Sequence, residues 1–158
     1  MAKVLYQVSL DMVPPTATHH SKQIVTVKGS PRLIDRKGLR VARQDYASLI
    51  RGSYEGEPID TPVALLMRFV FPYPAATPKK VTRAGAEIWK STKPDLSTLV
   101  KTPEDVLSEC GVIANDSRVV AKAELKCYGP KPCVDILLID MEGMTPAHAW
   151  SLLEMVLA

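Results

Sequence analysis

The chain has 158 residues, of which 46% are hydrophobic and 23% charged. That is one domain's length with enough apolar material for a core, and no stretch approaches the ~18 uninterrupted apolar residues that a membrane helix needs. The net charge of +3 conceals an asymmetry: residues 1–101 carry 16 Lys+Arg against 8 Asp+Glu, and residues 102–158 carry 4 against 9. A basic surface built from the first two thirds suits a polyanion such as nucleic acid, although scattered, solvated lysines would give the same count.

Alternation in KVLYQVSL, with Val4, Tyr6, Val8 and Leu10 on one face, predicts a half-buried strand ending before Pro14 and Pro15. Gln7, Ser9 and Asp11 break the continuity that a secretory segment would need, and three cysteines without an export signal point to a reducing, cytoplasmic setting. QIVTVKGSPRLI reads as a second strand and a turn at Gly29 to Pro31. VARQDYASLIRG, residues 41–52, reads as an amphipathic helix with Val41, Tyr46, Leu49 and Ile50 on its stripe. PVALLMRFVFPYP is short, branched and aromatic, which predicts a central strand buried on both faces. AATPKKVTRAGAEIWKSTK is a basic loop with room for one helical turn. DLSTLVKTPEDVLSECG is helical with Gly111 as its stop, and Pro103 predicts a kink or a restart with Thr102 as cap. SRVVAKAELKCYG and PCVDILLIDME read as two strands of a hairpin joined at Gly129 to Lys131, and TPAHAWSLLEMVLA as a helix capped by Thr145. The expected fold class is α/β in the mixed α+β sense: a single domain over 1–158 with a mixed β-sheet flanked by helices.

Asp95, Lys101 and Asp116, with Asp105 nearby, are the first candidate site. Metal-assisted phosphodiester hydrolysis needs carboxylate oxygens that hold the ion and leave positions open, and a lysine can neutralise developing charge. On spacing alone the bland alternative stands: Asp95 as a helix cap, Lys101 and Asp105 as an i,i+4 pair, Asp116 as a turn residue.

The run KPDLSTLVKTPEDVLSECGVIANDSRVVAKAELKCYG resembles the central motif of the RusA family of Holliday junction resolvases. Lys93, Pro94, Asp95, Leu99, Lys101, Asp105, Leu107, Gly111, Val112, Ile113, Asp116, Lys126 and Tyr128 stand at matching places. The resemblance implies a homodimeric endonuclease that nicks four-way or other branched DNA symmetrically. It further implies Mg2+ or Mn2+ held by Asp95 and Asp116, with Lys101 assisting catalysis. Lys79, Lys80, Lys90, Lys93 and Lys126 are then expected to face DNA. At the third acidic position this chain has Ser97, with Thr98 in place of an Asn and Asn115 in place of the first Asp of a pair. A hydroxyl binds a hard dication less well than a carboxylate. Three outcomes stay open: Ser97 contributing through water, Asp105 compensating, or loss of cleavage with DNA binding retained.

Other constellations are thinner. Asp95 with Glu124 and Lys126 imitates a PD-(D/E)xK nuclease, but there the aspartate belongs beside a strand. His19 and His20 with Asp11 lack anything to complete a site, and Cys127 and Cys133 lack further ligands for zinc. Lys22, Lys28, Arg32, Arg36, Lys37, Arg40 and Arg43 form a basic stretch able to track phosphates.

Overall fold

The computed structural model describes residues 3–17 and 22–157; His19 and His20 lie outside them. The order is β1 (Val4–Leu10), β2 (Lys22–Val27), β3 (Ser30–Asp35), α1 (Lys37–Arg51), β4 (Val63–Pro72), α2 (Lys79–Ala84), β5 (Ile88–Trp89), α3 (Leu96–Glu109), β6 (Val119–Gly129), β7 (Cys133–Asp140) and α4 (Pro146–Leu157). Five strands form one mixed sheet in the order β1-β7-β4-β6-β5, and β2 and β3 form a separate two-stranded sheet. The fold is therefore mixed α+β, as the pattern of elements predicts.

The apolar run of β4 becomes the middle strand, parallel to β6 on one side and antiparallel to β7 on the other. Its odd-numbered residues Val63, Leu65, Met67 and Phe69 are buried, and they join Tyr6, Leu10, Val134, Ile136 and Leu138 from neighbouring strands in the main core. Tyr46 and Ile50 of α1 and Leu99, Val100, Val106 and Leu107 of α3 close the same core. Each such side chain contributes about 1.5–3 kcal/mol by leaving water. On the opposite face Ala64, Leu66 and Arg68 are only half-buried, so burial on both faces holds only toward the end of the strand, at Val70.

Four local expectations are corrected. β6 and β7 do not pair as a hairpin, because β4 lies between them; an inner strand so apolar needs partners on both edges. Val70 consequently faces Cys127 on one side and Cys133 on the other. The segment read as one strand before Gly29 is a complete hairpin, with β3 answering β2 in register from Lys22↔Asp35 to Val27↔Ser30. Helix α1 begins at Lys37, and its buried stripe is Leu39, Ala42, Tyr46 and Ile50, leaving Val41 and Leu49 exposed. Finally, α3 does not restart with Thr102 as cap but continues as one helix through Pro103. Proline there removes one helical hydrogen bond and crowds the carbonyl of Leu99, but buried residues on both sides of it, Leu99, Val100, Val106 and Leu107, hold both halves against one core.

Candidate functional site

Helix α3 sets out the site. Asp95 is its N-cap residue in extended conformation, yet its side chain makes no capping hydrogen bond. The Thr98 hydroxyl instead donates to the Asp95 backbone carbonyl at 2.8 Å. The carboxylate is exposed and makes no ion pair or hydrogen bond among the described residues, at the end of a helix where negative charge is favoured. It borders an open recess with Thr16, Lys93, Pro94 and Thr98. Ser97 is also exposed.

Further along the helix, Lys101 Nζ lies 2.8 Å from Asp105 Oδ1 and 3.7 Å from Asp116 Oδ2. The hydrogen bond to Asp105 raises the Lys101 pKa above its ordinary value; partial burial opposes this, and the charges of Asp105, Glu104 and Asp116 add to it. The residue is a standing cation at neutral pH.

Asp116 reaches this place through the way α3 ends. Gly111 takes a left-handed conformation, φ 73°. Its N–H donates to the Ser108 carbonyl at 3.1 Å and that of Val112 to the Leu107 carbonyl at 2.9 Å, the paired bonds of a Schellman cap. The chain then runs beside Ile59, with Ile59 N–H donating to Val112 and Ala114 N–H donating to Ile59, both at 2.9 Å. Asn115 caps the short 3-10 turn Asp116–Arg118 by accepting from the Ser117 N–H at 2.9 Å, and Arg118 fastens that turn to Asp60 at 2.7 Å.

Arg43 of α1 was legible only as one of several basic residues. Its guanidinium stands among three carboxylates, pairing with Glu109, with Asp105 at 3.8 Å and with Asp35 at 3.9 Å. It ties the β2–β3 hairpin and α1 to the same face of α3. Asp35 and Glu109 carry no sequence signal for this role, since their partner is set by tertiary packing.

The lysines expected to face DNA divide into two groups. Lys79, Lys80 and Lys93 are exposed. Lys90 is 9% exposed, and its ammonium donates to Thr92 Oγ1 and Tyr128 Oη. Lys126 donates to the backbone carbonyls of Thr92 and Pro94. Asp95, Glu124 and Lys126 make no bond to one another among the described residues, so nothing assembles the alternative nuclease motif.

Donor chemistry fits a divalent cation only in part. Asp95 and Asp116 offer carboxylate oxygens and Ser97 a neutral hydroxyl, while Asp105 is engaged by Lys101 and Arg43. Among the described residues no three His, Cys, Asp or Glu side chains converge to hold a metal.

No curated protein matches the chain. The family model described as endodeoxyribonuclease RusA matches residues 13–139, which takes in β4, β5, β6, the whole of α3 and all but the last residue of β7. The chain belongs to the RusA endodeoxyribonuclease family, whose members cut branched DNA at Holliday junctions.

Proposed function

We propose that this protein binds four-way DNA junctions as a homodimer and hydrolyses one phosphodiester in each of two strands, with Mg2+ or Mn2+ required. The observation that carries the reading is the Lys101–Asp116 pair, a permanent cation beside a carboxylate on the helix that begins at the uncommitted Asp95. A charged lysine placed there neutralises the charge that grows on the phosphate as water attacks and the P–O bond breaks. In this reading Lys101, held at 2.8 Å by Asp105 and 3.7 Å from Asp116, serves as the cation.

The DNA backbone is gripped by Lys79, Lys80 and Lys93 and by the basic residues of the β2–β3 hairpin and the start of α1. Lys28, Arg32, Arg36 and Lys37 there are exposed or half-exposed. Such contacts position the duplex without reading sequence. The sheet face opposite the helices, with Leu66, Leu125 and Leu137 half-buried around the Arg68–Asp135 ion pair, offers a surface for the second copy.

A second reading is favoured by Ser97 at an acidic position of the motif, together with the absence of a three-carboxylate cluster among the described residues. On it the protein binds junctions and cuts them weakly or not at all. Labelled four-way and linear duplexes incubated with Mg2+ or Mn2+ separate the two. Junction-selective cutting by the native protein, lost in Asp116→Asn, supports the enzyme. Binding without cutting, with cutting gained in Ser97→Asp, supports the weakened relative. Absence of any junction preference defeats both.

A further inference from the structure

We propose that Lys126 is a positioning residue: braced by a Lys90–Thr92–Tyr128 cluster, it fixes the Thr92–Pro94 segment and thereby the place of the Asp95 carboxylate, and it does not contact DNA. The proposal rests on the nuclease reading for its effect on cutting, but its structural half stands apart from it.

The Lys126 ammonium donates to the Thr92 carbonyl at 2.8 Å and to the Pro94 carbonyl at 2.7 Å. Two of its three protons are therefore committed, and the second bond lands on the residue immediately before Asp95. Charge-assisted bonds of this kind are roughly twice as strong as neutral ones. The segment has little else to hold it. Strand β5 has only two residues, the last ladder-like bond beside it runs from Lys90 N–H to the Lys126 carbonyl at 3.3 Å, and α3 begins at Leu96.

A second tether lies next to the first. Lys90 is nearly buried, with its ammonium 4.9 Å from the centre of the Phe71 ring and 5.0 Å from that of Tyr128. It donates to Thr92 Oγ1 at 2.7 Å and to Tyr128 Oη at 3.2 Å, and those two hydroxyls are 2.9 Å apart. Two aromatic faces and two hydroxyls take over the solvation that burial removes from the ammonium. Phe71 and Tyr128 are register partners of β4 and β6, as are Phe69 and Lys126. The anchors thus stand on the rigid sheet and the anchored segment is the loop, which is the arrangement that fixes a reactive group most closely.

The test compares Lys126→Met, Lys126→Arg and the charge-neutral Tyr128→Phe with the native protein. For Lys126→Met the nicking rate at saturating junction is expected to fall about 10–100-fold, with junction affinity and its salt dependence unchanged. Tyr128→Phe moves the rate the same way to a smaller extent, and Lys126→Arg, which keeps the donors, restores part of it. Weaker binding with a salt slope reduced by about one, and an unchanged rate at saturation, would make Lys126 a phosphate contact and overturn the proposal. Hydrogen exchange supplies the readout that needs no activity: amides of Lys93, Asp95 and Leu96 exchange at least about tenfold faster in Lys126→Met, while those of β1 and β7 do not. Unaltered exchange overturns the proposal. Faster exchange in a protein whose native form cuts nothing supports the tether and removes the nuclease reading alone.

Discussion

The ammonium of Lys101 stands 3.7 Å from the carboxylate of Asp116, two residues separated in the chain by the end of a helix and a capped turn. Asp105, one helical turn from the lysine, holds it at 2.8 Å and keeps its pKa above the ordinary value of 10.5. Junction nicking should accordingly show no rise attributable to this lysine between about pH 7 and about pH 9.5, because a group with so high a pKa stays protonated throughout that range. A lysine acting as a neutral base would make the rate climb about tenfold per pH unit there. Lys101→Met is expected to lower the rate at saturating DNA by about a hundredfold or more, as does loss of other preorganised donors that stabilise developing charge. A pH–rate profile of the native protein and the variant decides it.

What the sequence disclosed and what it withheld follow from where each signal resides. The central place of β4 and the buried stripe of α3 at 99, 100, 106 and 107 are local patterns, and so is the Lys101–Asp105 pair at i,i+4. Asp116 beside Lys101 could be suggested from its place just after the helix and was favoured by the family motif, but spacing alone does not say that a Schellman cap and Ile59 will fold the chain back. The β6–β7 connection misled because Gly129-Pro130-Lys131 looks the same whether it closes a hairpin or passes the end of a third strand. On α1 the expected stripe is half right: Tyr46 and Ile50 are buried, but Val41 and Leu49 are exposed and Leu39 and Ala42 take their places. Lys126 and Lys90 were hidden for another reason: a lysine bonded to carbonyls and aromatic rings has the same letter as one that awaits a phosphate.

Gly111 should be the most sensitive glycine near the site. Its φ of 73° is left-handed, and a Cβ there would meet only Pro58 Cγ at 3.9 Å, an ordinary contact. The cost of Gly111→Ala is thus conformational, about 1–2 kcal/mol. Thermal unfolding should show it as a drop of about 2–8 °C for a chain of this size. A variant as stable as the native protein would mean that the cap is not what turns the chain toward Asp116.

Glu104 of α3 is 5% exposed and meets Lys122 of β6 at 2.7 Å. Lys122→Met leaves that carboxylate buried without its partner, a change that costs about 3–5 kcal/mol when both groups are fully buried. Lys122 is 40% exposed, so water replaces part of what it supplies, and about 2 kcal/mol is expected. Adding Glu104→Leu should return much of the loss, because no unpaired charge then remains. A double-mutant cycle in urea measures the coupling, and additive effects would show that the pair contributes nothing.

Glu124 gives a prediction whose size depends on pH. Burial raises its pKa above 4.5; the Lys122 charge opposes this and Glu104 reinforces it. The folded protein therefore holds this proton more tightly than the unfolded chain does. The group's favourable contribution is complete below about pH 4.5 and is lost as pH rises through the elevated folded value, so at pH 7 its ionised form is a burden on the fold. Glu124→Gln should raise the melting temperature at pH 7 and leave it unchanged near pH 4. In a Lys122→Met background the gain at pH 7 should grow, since the charge that lowers the Glu124 pKa is gone. Equal effects at the two pH values would assign the change to packing and not to ionisation.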